Sequence, residues 1–201
     1  MTAFTSAPSH TLAAALWPQA AGGAADWLRA GALALAGSLL LTLSAKIQVP
    51  FFPVPMTLQT GAVLLLAMAC GWKLGGSAVL LYLGQGAAGL PVFAGAPEKG
   101  IGLAYMMGPT GGYLAGFLAA ALLCGWLAER GWSRGLARTA LAMLLGLAVI
   151  YALGLMWLGT LAGWDKPLLA WGFTPFILGD LAKVAVAAIA VPALWRVVKK
   201  R

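Results

Sequence analysis

The amino-acid sequence predicts an all-α integral membrane protein, a six-transmembrane-helix bundle with both chain termini in the cytoplasm. Of its 201 residues, 62% are hydrophobic and only 9% are charged, whereas a soluble domain carries about 25% charged residues. A surface this apolar must face lipid. Several apolar runs reach the roughly 18 residues that a membrane-spanning helix needs, and the 27 glycines suit helices that approach each other closely in lipid.

Residues 1–26 are expected to form an N-terminal tail, followed by a single membrane domain over 27–198. The six spans are predicted at about 27–45, 57–71, 72–90, 109–128, 136–162 and 173–197. A proline-rich turn, Pro50 to Pro55, separates the first two spans because proline lacks the backbone donor that a helix requires. The second span is short. Pro109 heads the fourth span, where proline is tolerated.

The distribution of basic residues predicts the orientation. With both termini inside, an even number of spans is required, and three basic residues lie outside: Lys46, Lys99 and Lys166. Those inside are Arg29, Lys73, Arg130, Arg134, Arg138, Arg196, Lys199, Lys200 and Arg201. This excess of cytoplasmic lysine and arginine follows the positive-inside rule. The connectors at 46–56, 91–108 and 163–172 are therefore predicted to be external.

Composition also argues against several classes of function. The net charge is +8, and the basic residues lie at the ends of apolar segments rather than in a stripe interleaved with aromatic residues. Nucleic-acid binding is therefore not indicated. Cys70 and Cys124 lie inside apolar segments and imply no disulfide framework. His10 has no cysteine or acidic cluster near it in the sequence. We therefore expect no metal site, no cofactor and no catalytic residues.

Asp180 and Lys183 are ionisable residues placed at membrane depth. If the sixth span begins near Thr174, Lys183 lies about 13–14 Å down its axis, near the middle of the bilayer. Ionisable groups at that depth cost at least ~2.5–3.5 kcal/mol each and usually face a cavity or a partner. The two residues are three apart and share a helix face. They form either a structural ion pair or the wall of a polar ligand pocket.

Other polar and small residues carry weaker signals. Gln85 lies near the outer end of the third span, where its amide could bind a ligand or a neighbouring helix. Gln59 is close enough to the interface to be solvated, and Tyr113 could be a core aromatic. Ala32 and Ala36 form a small-xxx-small pair that allows another helix to approach, either within the protein or from a partner.

Four segments together carry a resemblance to a known family. They read VPMTLQT at 54–60, YL at 82–83 continuing to GLPVFAG at 89–95, GPTGGYL at 108–114, and GDLAK at 179–183. In this order and spacing they resemble the BioY family, the substrate-binding (S) components of energy-coupling-factor (ECF) importers for biotin. The resemblance covers residues 30–197.

The resemblance implies six helices and an outward-facing pocket with the first external loop as its lid. It implies that Asp180, Lys183, Gln85 and Lys99 hold the polar parts of biotin, although the family pattern leads us to expect asparagine as often at Gln85 and arginine at Lys99. Phe93, Tyr105 and Tyr113 would supply aromatic walls, as a bicyclic apolar ligand requires. The sequence leaves open which lysine meets the biotin carboxylate.

The resemblance also implies partners and a location. The chain contains no Walker motif, so ATP hydrolysis would come from ATPase subunits joined through a coupling transmembrane subunit. The Ala32 and Ala36 face is our predicted docking surface, and the predicted location is the bacterial cytoplasmic (inner) membrane.

The sequence leaves two other classes of function open. A self-sufficient ion-coupled carrier or channel for a small organic anion would use Asp180 as an ion site, but the sequence shows no inverted repeat with paired broken helices. An intramembrane enzyme would need a nucleophile with a base in reach, and Lys183 is the only base at depth. A biotin-binding uptake subunit without chemistry of its own is the preferred interpretation.

Overall fold

The computed structural model describes residues 11–18 and 23–198 as a helical protein. Its α-helices are α1 (Leu12–Leu16), α2 (Ala24–Lys46), α3 (Gln59–Ala87), α4 (Gly102–Met106), α5 (Gly111–Glu129), α6 (Leu136–Ala162), α7 (Leu168–Gly172) and α8 (Thr174–Val198). A 3₁₀ turn covers Trp132–Arg134, and two short strands, β1 (Gln48–Val49) and β2 (Met56–Thr57), pair antiparallel. Within the described residues, five helices are long and apolar enough to cross a membrane: α2, α3, α5, α6 and α8.

Helix α3 is broken in the middle and folds back on itself. Gly71 has φ 80° and ψ 177°, and this backbone conformation is not helical. Gln59 Nε2 donates to the Tyr82 hydroxyl at 2.7 Å, although 23 residues of straight helix would separate them by about 35 Å. A Cβ on Gly75 would lie 3.1 Å from the Ala67 Cα. The segments 59–70 and 72–87 are therefore two antiparallel helices, divided where the sequence predicts the boundary between its second and third spans.

The sharp turn at Gly71 depends on glycine for two reasons. Its positive φ is a conformation that other residues adopt only with strain, and a Cβ there would overlap the Glu129 carboxylate and the Thr11 side chain. The same carboxylate accepts a hydrogen bond from the Trp72 backbone N–H at 3.3 Å. The turn is thus held against the end of α5.

Small residues allow α5 to pack closely against its neighbours. A Cβ on Gly116 would lie 2.8 Å from the Ile150 Cα, and one on Gly112 would overlap the Leu153 carbonyl. At the other end of α5, a Cβ on Gly125 would overlap the backbone of Trp72. These contacts place α5 between α3 and α6 with backbone against backbone, as is typical of helices packed in lipid.

The N-terminal region differs from its prediction. The sequence predicts a tail over 1–26, but the described part includes α1, whose Leu12 is buried in the core, and α2 begins at Ala24. Arg29 joins the two helices, since its Nε donates to the Trp17 carbonyl at 2.7 Å and its Nη2 to the Ala13 carbonyl at 3.1 Å. The rest of the predicted tail, His10 and the basic residues 199–201 lie outside the described residues.

The connectors that the sequence predicts to be external all lie at one end of the bundle, and they contain more regular structure than expected. β1 and β2 form a two-stranded ribbon in the first, α4 lies in the second and α7 in the third. Each of these elements is five residues or shorter, below the length at which a periodic pattern can be read. The opposite end carries the turn at Gly71 and the described cations Arg29, Lys73, Arg130, Arg134, Arg138 and Arg196.

Candidate ligand-binding site

A cavity opens at the end of the bundle that carries the connectors. The volume that it encloses is about 60 Å³, below the range of about 300–1,000 Å³ that is usual for small-molecule pockets, so a ligand of that size requires its lining to move apart. It lies among the first turns of α3, α5 and α8, the last turns of α3 and the middle of α6. Its polar lining comprises Thr57, Gln59, Thr60, Thr110, Asp180 and the hydroxyls of four tyrosines.

Asp180 is the acidic residue of this cavity, and both of its oxygens are engaged. Oδ1 accepts a hydrogen bond from Lys183 Nζ at 2.7 Å, and Oδ2 accepts one from the Tyr151 hydroxyl at 2.7 Å. Its side chain is 5% exposed. A carboxylate offers about four acceptor positions. Two positions therefore remain for ligand N–H groups, and the two protein donors fix the orientation of the carboxylate.

Lys183 stands behind Asp180 rather than in the cavity lining. Its ammonium forms the ion pair with Asp180 and donates to the Thr57 carbonyl at 2.6 Å. Its stem lies against Gly61, where an added Cβ would be 3.2 Å from the Lys183 Cβ. Lys183 thus links α8 to the first connector, just before α3 begins. The charged pair that the sequence places on one face of the sixth span is present in the structure.

The predicted aromatic residues occupy two layers. Tyr105 and Tyr113 line the cavity, whereas Phe93 lies behind it, fully buried. The Phe93 ring stacks on Tyr105 with centroids 4.8 Å apart and meets Tyr82 edge-on at 5.4 Å. A Cβ on Gly86 would overlap the Phe93 ring, so the glycine creates the space that this ring fills.

The tyrosine hydroxyls are held by backbone carbonyls. Tyr105 donates to the Ala94 carbonyl and Tyr113 to the Gly172 carbonyl, both at 2.8 Å. Burial raises the pKa of Tyr105. Its hydroxyl therefore stays protonated across the physiological pH range and remains a donor. The Tyr105 bond ties α4 to the preceding turns of the second connector, and the Tyr113 bond ties the third connector to α5.

Gln85 and Lys99 lie outside the cavity lining in this structure. The Gln85 Oε1 accepts a hydrogen bond from Ser38 Oγ at 2.5 Å, the helix-to-helix bond that the sequence offers as one of two alternatives. Lys99 is exposed on the second connector. Ala32 and Ala36 are exposed on α2, on the face directed away from the bundle.

Three residues with roles at this end were missed by sequence reasoning. Gln59 is buried rather than solvated and bonds Tyr82. Tyr151 orients Asp180 from the middle of an apolar run, where a tyrosine gives no particular signal. Lys46 donates to two carbonyls of the second connector, and a lysine at a helix end is too common to single out.

The fold and the site define a multi-pass helical membrane protein with a polar cavity at one end of its bundle. Comparison with known proteins gives the particular family. A family model described as the BioY family matches residues 13–200, and the chain belongs to that family.

Relatives cover most of the chain. It is 41% identical over 150 residues to a probable biotin transporter BioY of Pyrococcus horikoshii, spanning 75% of this chain and 86% of that protein. It is 42% identical over 150 residues to the biotin transporter BioY of Thermotoga maritima, with the same shares. Over 174 residues it is 39% identical to the biotin transporter BioY of Rhodobacter capsulatus, spanning 78% of this chain and 87% of that protein.

A solved structure shares the fold. The S-component for biotin from an ECF-type ABC transporter superposes with a TM-score of 0.74 at 24% sequence identity. The match covers 88% of this chain and 95% of that one.

Proposed function

We propose that this chain is the biotin-binding membrane subunit of a biotin importer, energised by partner ECF coupling and ATPase subunits. The relatives named as biotin transporters support the substrate, and the similar S-component supports the assembly. The proposed role is binding and transfer of biotin without covalent chemistry.

The observation that carries the proposal is the oriented carboxylate of Asp180 in the wall of the cavity. Biotin has a ureido ring with two N–H donors, an apolar sulfur-containing bicycle and a carboxylate tail. Asp180 has two acceptor positions left for the N–H groups, and its own donors, Lys183 and Tyr151, keep it in place. Tyr105 and Tyr113 offer surfaces for the bicycle.

The carboxylate of biotin points toward the mouth of the cavity in this proposal. Within the described part of the chain, the residues that line the cavity include no lysine or arginine. Lys99 is exposed on the second connector, and a lysine side chain is long and flexible enough to approach the mouth. Lys99 is therefore our candidate for the carboxylate, and Lys183 serves the ureido end through Asp180.

We further propose six membrane crossings with both termini in the cytoplasm. The fold-back at Gly71 turns α3 into two crossings, which makes six with α2, α5, α6 and α8. The described cations at the end opposite the cavity support a cytoplasmic location for that end. The cavity then faces outward, and the exposed Ala32 and Ala36 face of α2 is the surface proposed for the coupling subunit.

Equilibrium binding of labelled biotin to the purified protein tests the function. We expect saturation near one biotin per chain, a strong loss of affinity in Asp180→Ala, and a smaller loss in Asp180→Asn because the amide oxygen retains an acceptor. Absence of binding to a well-folded wild type would refute biotin as the ligand. Equal losses in both variants would mean that charge, rather than hydrogen bonding, makes Asp180 necessary.

A further inference from the structure

Lys46 occupies a position where the first and second connectors meet. It is the last residue of α2, and its ammonium donates to the carbonyls of Phe93 at 3.0 Å and Ala96 at 3.1 Å. The first connector begins at the next residue, Ile47. One side chain therefore joins the two connectors at the mouth of the cavity.

The second connector depends on side chains because it has little regular structure of its own. Between Leu90 and Ile101 it forms turns, and several of its carbonyls accept hydrogen bonds from side chains. Tyr82 donates to the Val92 carbonyl at 3.4 Å, and Tyr105 donates to the Ala94 carbonyl at 2.8 Å. Lys46 donates to the carbonyls of Phe93 and Ala96, both of which are buried residues. The Phe93 carbonyl also accepts the Ala96 N–H at 3.3 Å, so it is the Ala96 carbonyl that depends on the Lys46 ammonium. A buried carbonyl without a donor is costly, so the bond from Lys46 to Ala96 helps to fix the position of the connector.

The first connector is tied to Lys46 through the backbone. The Leu58 N–H donates to the Ile47 carbonyl at 3.2 Å, and Gln48 pairs with Thr57 in the β-ribbon. Thr57 lines the cavity and accepts from Lys183. A displacement of the end of α2 would therefore move both the first and the second connector at the mouth of the cavity.

We propose that Lys46 is a positioning residue that couples the two connectors, so that they close over the bound ligand and release it as one unit. The inference rests on the proposed function, because it assigns to Lys46 the retention of the ligand in that same cavity. Lys46 itself is not among the residues that line the cavity. It acts through Phe93 and Ala96 on Ala94, which lines the cavity, and on Lys99, which lies three residues beyond Ala96.

Three variants separate this role from a general effect on stability. Lys46→Met keeps the apolar stem and removes the donors, whereas Lys46→Arg keeps a cation with several N–H donors. Lys166→Met is the matched control, because Lys166 is also a predicted external lysine but pairs with the exposed Asp165.

The first measurement is hydrogen exchange of the ligand-free protein. We expect Lys46→Met to speed exchange at Lys99 and Gly100, whose N–H groups bond the Gly95 and Pro97 carbonyls, and Lys46→Arg and Lys166→Met to leave it unchanged. Unchanged exchange in Lys46→Met would overturn the coupling. This result does not depend on which ligand the protein binds, so failure of the biotin assignment would be recognised separately.

The second measurement is the rate of biotin binding and release. We expect Lys46→Met to release biotin about tenfold faster, with association within twofold of wild type and a modestly lower melting temperature, because the Ala96 carbonyl loses its donor. Lys46→Arg should restore the wild-type release rate. Release at the wild-type rate in Lys46→Met, or a loss of affinity that is not rescued by arginine, would overturn the positioning role.

Discussion

Lys183→Met tests how much the ion pair between Lys183 and Asp180 contributes to stability and to ligand binding. The substitution removes the ammonium that bonds Asp180 Oδ1 at 2.7 Å and the Thr57 carbonyl at 2.6 Å. The side chains of Lys183 and Asp180 are only 16% and 5% exposed. Removing one partner of a buried pair costs about 3–5 kcal/mol, because the other charge is left uncompensated. We expect the free energy of unfolding to fall by that amount.

The double variant Lys183→Met with Asp180→Asn separates the charge effect from the rest. It leaves no unpaired charge, so the cost of burying a lone carboxylate disappears. The Thr57 carbonyl still lacks its donor, which costs about 1–3 kcal/mol. The double variant should therefore recover about 2 kcal/mol relative to Lys183→Met, yet both variants should lose biotin binding.

Unfolding in mixed detergent micelles, followed by far-UV circular dichroism, measures the stability of each variant, and labelled biotin measures binding. Lys166→Met is the control, since its pair with Asp165 is largely exposed and such pairs contribute about 0–1 kcal/mol. A double variant no more stable than Lys183→Met would refute the charge argument. Full biotin affinity in Lys183→Met would refute the place of the pair in the site.

Three further substitutions probe separate parts of the molecule. Tyr151→Phe removes the hydroxyl on Asp180, and since a hydrogen bond to a charged group contributes about 1.5–3 kcal/mol, we expect biotin affinity in equilibrium binding to fall at least tenfold. Gly86→Ala places a methyl group where the Phe93 ring lies, so thermal unfolding should occur at a lower temperature. Ala32→Leu enlarges the exposed face of α2 and should impair cellular uptake while binding by the purified protein is unchanged.

Each of these three has a control or a contrary result. Tyr113→Phe removes a cavity hydroxyl that bonds a neutral carbonyl, so its effect on affinity should be smaller than that of Tyr151→Phe; the reverse order would contradict the role of Tyr151. Gly84→Ala adds a methyl group on the same helix with nothing within 4 Å, and should be neutral or stabilising. Normal uptake by Ala32→Leu would rule out docking at that face.

Much of the fold follows from hydropathy and from the residues that lipid excludes. The break between the second and third predicted spans could be placed at 71–72, because Gly71, Trp72 and Lys73 end one apolar run and begin another. The β-ribbon, α4 and α7 could not be predicted, because their short segments are stabilised by tertiary contacts such as the bond from Tyr105 to Ala94.

The candidate site was predictable only in part, for a similar reason. Asp180 and Lys183 are conspicuous because charge at membrane depth is costly. Tyr151 is a common residue in an apolar helix, and only the structure places its hydroxyl on Asp180. Gln59 was misjudged because its position near a helix start suggested solvent, whereas the fold-back of α3 covers it with Tyr82.

The fold-back of α3 also has a consequence for how the protein is made. The segment 59–70 is about 18 Å long, well short of the ~30 Å of hydrocarbon that an independent span must cross. Released alone from the insertion machinery, it would leave the Gln59 amide in lipid without the Tyr82 hydroxyl that satisfies it. We therefore expect the ribosome to have synthesised residues through 87 before either half leaves the translocation channel, so that both enter the bilayer as one helical hairpin.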